Sequence, residues 1–233
     1  MTNLIAEQWL SLGRLGVYLA NTANDLPRAL RLYEWNAQVT SACLQDIGHL
    51  EVLIRNRYDQ ELSKGSPGWS SASDPLWTRQ TGIKTTKELQ AKSNTISKSS
   101  LTNARKKGVK VTHGHTVANL SFGFWTALTQ AEREATIWTP ILSPLFPGLS
   151  RGPIHNRMGT LNQFRNRLAH WEPVFSSTTR FMRQLEDVDN LYFALSPEVR
   201  MWVGERSTVM DLIRTVPEPL LSIPPTMYLG TRT

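Results

Sequence analysis

The chain has 233 residues, 40% of them hydrophobic, with one cysteine and a formal net charge of +7. That length buries a core without a disulfide or metal staple, and the lone Cys43 excludes an internal disulfide framework and a Cys-rich zinc site. No run of about 18 apolar residues occurs, so no membrane span is expected, and the N-terminal stretch lacks the basic start and unbroken apolar run of a secretory signal, so a cytoplasmic location is expected.

In chain order, apolar residues at Ile5, Trp9, Leu12, Leu15 and Leu19 fall at helical spacing over residues 5–20. Asp25 and Pro27 read as the cap and first turn of a helix over about 27–36. A longer amphipathic helix follows from Val39, its stripe Cys43, Ile47, Leu50, Ile54, Tyr58 and Leu62 stepping by three or four residues. Lys64-Gly65-Ser66-Pro67-Gly68 stops it, and residues 63–82, rich in Ser, Gly and Pro, read as loop. Glu51 and Arg55 sit one turn apart beside the apolar stripe. They suit either a helical ion pair or a supporting role, with Glu51 orienting a histidine and Arg55 meeting phosphate.

Between Arg79 and Lys110 there are nine basic residues and one acid, Glu88, so this window holds the positive charge and the rest of the chain is close to neutral. Such a segment is either the footprint of a polyanion binder, with Arg105, Lys106, Lys107 and Lys110 meeting RNA phosphates, or a solvated basic loop. It is expected to form one or two polar helices broken near Lys107-Gly108. His113-Gly114-His115 has half the ligands of a metal site and no identifiable third, so it reads as a turn; no metal or cofactor is expected.

A helix is expected near Thr116 through Leu128, with Phe124 and Trp125 in the core and Gly123 allowing close helix packing. The prolines of Thr139–Pro153 predict a mostly irregular segment. From Ile154 the stripe Met158, Leu161, Phe164, Leu168 is helical again, and Trp171-Glu172-Pro173 ends it because a residue before proline leaves the helical region. A further helix is expected over about 176–195, then an extended tail from Pro217. No strand pattern competes, so the fold class is all-α.

The segment Phe164 to Pro173 carries the chemistry. Asn166 and His170 are one turn apart, with Arg165 beside Asn166. An imidazole titrates near neutral pH and serves as general base or acid, while a guanidinium fork stabilises charge on phosphate oxygens. RNA supplies its own nucleophile, the 2′-hydroxyl, so this pair suits metal-free phosphodiester cleavage. Spacing alone leaves a second reading, a helix-end histidine that bonds a terminal carbonyl beside an ordinary surface arginine.

Arg165-Asn166-Arg167-Leu168-Ala169-His170 matches the R-N-x-x-x-H form of the signature of the HEPN superfamily of helical, RNA-acting proteins. The chain resembles the Abi-like (abortive infection) branch of that superfamily in ordered blocks from about residue 30 to 175. These are Leu32-Tyr33-Glu34-Trp35-Asn36, Leu50-Glu51-Val52 with Arg55-Asn56-Arg57, Leu120 to Trp125, Leu145-Phe146-Pro147 and His170 to Phe175.

The resemblance implies a single domain over 1–233, a HEPN-like helical bundle with added N-terminal helices (1–62) and a basic helical insertion (about 63–112). Core helices bearing the motif would span about 113–215 and the tail 216–233. It further implies a metal-independent endoribonuclease of an abortive-infection (phage defence) or toxin–antitoxin system. The enzyme would be a homodimer cleaving RNA at paired R-x4-H motifs, with an antitoxin or regulatory RNA as a further partner. Arg165 and His170 become the catalytic pair supported by Asn166, with Arg167, Trp171 and Glu172 around them. The family often carries a second histidine directly after the first, and here that place is Trp171, suited instead to stacking an unpaired base. This departure motivates the alternative of a non-catalytic RNA-binding HEPN module; the basic window also permits a DNA-binding protein.

Overall fold

A computed structural model describes residues 2–81, 84–106, 111–217 and 228–230. The all-α expectation holds: among the described residues the only β feature is an isolated bridge at Tyr228. Helices run α1 (Asn3–Leu10), α2 (Leu12–Ala20), α3 (Leu26–Gly65), α4 (Lys84–Lys106), α5 (His113–Asn119), α6 (Phe122–Ala127), α7 (Arg151–Ala169), α8 (Thr178–Leu195), α9 (Pro197–Gly204) and α10 (Val209–Arg214). By contact density the chain divides into two compact units. The first holds Met1–Ile47, Phe164–Asp189 and Glu198–Thr233, and the second holds Gly48–Gln163 and Asn190–Pro197.

Several boundaries differ from the sequence expectation, each for a physical reason. The segment 5–20 is two helices because Ser11 turns left-handed (φ 67°) and its hydroxyl caps α2 by accepting from the Arg14 N–H. The two helices expected over 27–62 are one, α3. Asp25 does cap it, accepting from the Arg28 N–H at 3.0 Å, and the whole stripe from Cys43 to Leu62 is buried. Helix α3 continues past Asn36, whose buried side-chain oxygen accepts from the Val174 N–H within its own unit.

In the first unit, Leu10, Leu15, Tyr18, Leu32, Trp35 and Val39 pack with Phe164, Leu168, Phe181 and Ile213 as core. Arg200 of α9 grips Asp189 of α8 with two hydrogen bonds of 2.5 and 2.9 Å, and Asp189 also accepts from the Leu229 N–H at 3.0 Å. Gly204 lies directly beneath the Leu229 carbonyl, where any Cβ would collide.

The second unit is built around an aromatic cluster, with Trp69 stacked on Phe124 (ring centroids 6.2 Å apart) and set edge-on to Trp77 and Trp125. Leu120, Phe122, Phe124 and Trp125 are core as expected, but Gly123 is not a close-packing site: an added Cβ would meet only Ser121 Oγ, at 3.7 Å. The proline-rich stretch is more ordered than expected. Glu134–Leu142 winds as a π-helix through Pro140, and Ser143–Leu145 adds a 3₁₀ turn. Proline removes one ladder bond and crowds the turn before it, and a wider turn relieves that crowding. Pro153 lies in the first turn of α7, where its missing N–H would have no partner in any case.

Candidate functional site

The motif occupies the last turns of α7. Leu168 faces the core, while Arg165, Asn166 and His170 are exposed. Arg165 Nη1 lies 3.5 Å from Asn166 Oδ1, at the limit of a hydrogen bond. Among the described residues the His170 ring makes no hydrogen bond or ion pair, which leaves both of its nitrogens open to a ligand.

Helix α7 ends by its own chemistry rather than by Pro173 alone. Trp171 N–H donates to the Leu168 carbonyl at 2.9 Å and Glu172 N–H to the Arg167 carbonyl at 3.1 Å. These two bonds form a Schellman motif, with His170 as the cap residue and Trp171 in the left-handed position (φ 55°) where glycine is usual. The pair that flanks such a motif is ordinarily apolar. Here it is an ion pair, Arg167 Nε to Glu172 Oε2 at 2.7 Å, so both side chains are engaged in shaping the turn that carries His170.

Three further contacts pin this turn. Arg14 of α2 donates to the His170 carbonyl at 3.1 Å and reaches the Trp171 carbonyl at 3.5 Å, satisfying acceptors that a helix C-terminus leaves open. Asn36 Oδ1 accepts from the Val174 N–H at 2.9 Å in a buried setting. Tyr33 meets the Trp171 ring at 6.2 Å, and Tyr18 packs edge-on to both Tyr33 and Phe175. Two blocks far apart in sequence, Leu32 to Asn36 and His170 to Phe175, are thus one structural piece. Arg14, Asn36 and Tyr18 were not among the expected site residues. Asn36 carried a legible signal as a polar residue at a core-facing helical position, whereas Arg14 is an exposed residue on a short helix and carried none. Tyr18 is fully buried, which pushes its phenol up to about 12 while Arg14 draws it the other way, so it stays neutral and is no proton carrier near pH 7.

Beside the turn lies an open groove of about 480 Å³. Its wall on α3 is formed by Glu34, Gln38 and Gln45, its floor by Ala37 and Ala42, and Trp171 stands at its edge. Gln38 Nε2 approaches Glu34 Oε1 at 3.5 Å, so the two side chains present one polar strip.

The remaining expected site residues belong to the second unit. Glu51 and Arg55 are half-buried on α3. Arg105 and Lys106 close α4, with Arg105 Nη1 donating to Ser71 Oγ at 3.3 Å; Lys107, Lys110 and the expected helix break at Lys107-Gly108 lie outside the described residues. Most of the expected extended tail, residues 218–227 and 231–233, also lies outside them.

His113-Gly114-His115 is the first turn of α5, capped by Thr112, and not an isolated turn. Its His113 ring bridges Asp59 Oδ1 (2.8 Å) and Ser70 Oγ (3.0 Å), an array resembling a hydrolase triad. The same Asp59 oxygen also accepts from Trp69 Nε1 at 2.9 Å and Ser63 Oγ at 3.2 Å, and Ser70 is only 5% exposed. A hydroxyl so enclosed serves a structural network better than nucleophilic attack. Among the described residues no group of three or more His, Cys, Asp or Glu could hold a metal, and no helix is long and apolar enough to cross a membrane.

A family model described as Abi-like protein matches residues 16–176, well over half of the chain. The chain belongs to the Abi-like family. Membership associates this Abi-like protein with abortive infection, and the match, which begins two residues after Arg14, includes the motif turn of α7. Among curated proteins and among solved structures, none matches.

Proposed function

We propose that this Abi-like protein is a metal-independent endoribonuclease of the HEPN kind, acting in abortive infection or as the toxin of a toxin–antitoxin pair. The observation that carries the reading is the construction of the motif turn. The exposed imidazole of His170 stands at the C-terminal cap position of α7, and Arg14, Asn36, Tyr33 and the Arg167–Glu172 pair hold the backbone of this turn in place. Rigid support for an exposed titratable group is what proton transfer requires.

In the proposed reaction His170 takes the proton of a ribose 2′-hydroxyl. The 2′-oxygen attacks phosphorus, the bond to the 5′-oxygen breaks, and that oxygen takes its proton from the imidazolium of a second copy's His170, leaving a 2′,3′-cyclic phosphate and a 5′-hydroxyl. Arg165 stabilises the charge on the non-bridging oxygens, and Asn166 supports it. Five helical positions separate Arg165 from His170, about 140° around a regular helix. Their chemistry is therefore completed most readily by a second copy presenting the same motif. Leu4, Ile5, Trp9 and Leu12 are exposed in the same unit, and Trp9 contacts Tyr33 at 5.4 Å, so an apolar surface suited to self-association adjoins the aromatic residues under the motif.

Purified protein should cleave mixed single-stranded RNAs in excess EDTA and leave cyclic-phosphate ends, and His170→Ala should lower the rate at least 100-fold. Undiminished cleavage by the His170→Ala protein would overturn the assignment. A second reading, an RNA-binding regulator that does not cut, is favoured by the Trp171 replacement; it predicts intact RNA held with salt-sensitive affinity.

A further inference from the structure

The left-handed conformation of Trp171 is what the fold leaves unexplained. A non-glycine residue there is strained, and strain of this kind persists where the residue serves something that glycine could not. What Trp171, a residue 38% exposed, adds over glycine is an indole ring held on one side by Tyr33. The ring stands at the edge of the groove walled by Glu34 and Gln38, one residue from His170.

The chemistry of the groove narrows its ligand. Its lining contains no basic side chain among the described residues, so phosphate is not what it receives. It offers an aromatic platform, a small-residue floor at Ala37 and Ala42 that leaves room, and a carboxylate–amide strip that accepts and donates hydrogen bonds. A planar heterocycle with N–H donors on its edge satisfies all three, and its volume is within the range of small-ligand sites.

We propose that this groove is a nucleobase subsite. The unpaired base next to the cleaved linkage stacks on Trp171, and Glu34, steadied by Gln38, accepts from its amino group, so adenine, cytosine or guanine is preferred there over uracil. The proposal rests on the ribonuclease reading for the position of the linkage but not for the binding itself.

The test uses full-length protein and short single-stranded RNAs made uncleavable by 2′-O-methyl substitution at every position, alongside cleavable counterparts. Trp171→Ala should weaken binding of the uncleavable strands about 5- to 100-fold, the loss of one stacked base, while Trp171→Phe keeps most of it. Trp171→Gly, which relieves the backbone strain, should bind as poorly as Trp171→Ala while unfolding at a temperature no lower. Glu34→Gln should reduce the preference for amino-bearing bases over uridine. Wild-type affinity and base preference in both Trp171→Ala and Trp171→Gly would overturn the subsite, even with cleavage still dependent on His170. Loss of binding in those variants of a protein that cuts no RNA would instead sustain the subsite and dismiss the nuclease. Failure of the wild type to bind any RNA would overturn both.

Discussion

At Arg14 a single exposed side chain reaches the carbonyls of His170 and Trp171 and so closes the end of the motif helix. A charged donor at a helix C-terminus satisfies open acceptors and favours the negative end of the helix dipole, an effect of about 0.3–1 kcal/mol at an exposed position. Arg14→Ala should therefore lower stability by roughly that amount, a small shift in thermal midpoint, yet lower RNA cleavage by more than the stability loss explains, because the His170 backbone loses one of its tethers. Arg14→Lys should restore part of the stability but less of the activity, since one ammonium does not span two carbonyls as a guanidinium fork does. Equal activity in all three proteins at a temperature where each is folded would show that the tether has no role in cleavage. His170 was legible as a helix-end residue from the run up to Pro173. The means of termination was not, because a Schellman turn closed by tryptophan breaks the rule that points to glycine at this place.

Among the elements, α3 and α4 illustrate opposite degrees of legibility. The stripe Cys43 to Leu62 of α3 is apolar, and every member is buried. The first turns of helix α4 invert that pattern: Leu89 and Ile96 are exposed, while Gln90, Ser93, Asn94 and Ser97 are buried, and apolar residues return to the buried face only at Leu101 and Ala104. Polar helices are expected here from the sequence, but the periodicity of apolar residues does not show which face packs when that face is polar. The reason for that face is Arg133, 1% exposed, whose guanidinium donates to Asn94 Oδ1 and to Ser97 Oγ (2.8 Å) and lies over the Trp77 ring at 5.8 Å. Burial draws the Arg133 pKa down to about 10, with Glu132 partly opposing, so it stays charged at neutral pH. The neighbouring Glu132 extends the clamp, its carboxylate accepting from Ser93 and its carbonyl from Gln90. Arg133→Met keeps the side-chain length but strands Asn94 and Ser97 without a donor, and each such buried group costs about 1–3 kcal/mol. A loss of roughly 2–5 kcal/mol in urea unfolding is expected. Asn94→Leu combined with Arg133→Met should recover part of it, since two apolar partners need no donor.

For the molecule as a whole, the decisive quantity is where the charge lies. Net charge is +7, but the window Arg79–Lys110 holds nine basic residues against Glu88, and the buried polar face of α4 turns Lys92 and Lys106 outward, with Lys87 exposed near its start. For the proposed ribonuclease, phosphate contacts beyond the cleavage site would strengthen RNA binding, and exposed lysines on a helix fixed by a buried clamp would offer them. Binding of single-stranded RNA then releases counterions, and the logarithm of affinity falls with the logarithm of salt by about 0.7 per phosphate contacted. Replacing Lys87, Lys92 and Lys106 together with Gln should lower affinity at low salt and reduce that slope by about 2. The thermal midpoint should stay nearly unchanged, because exposed surface substitutions shift stability little. The triple variant should also retain the base preference of the Trp171 groove, since lysines that meet phosphate carry no sequence information. An unchanged slope would mean that RNA is gripped through other cations, and the positive window would then be a solvated surface and not a binding face.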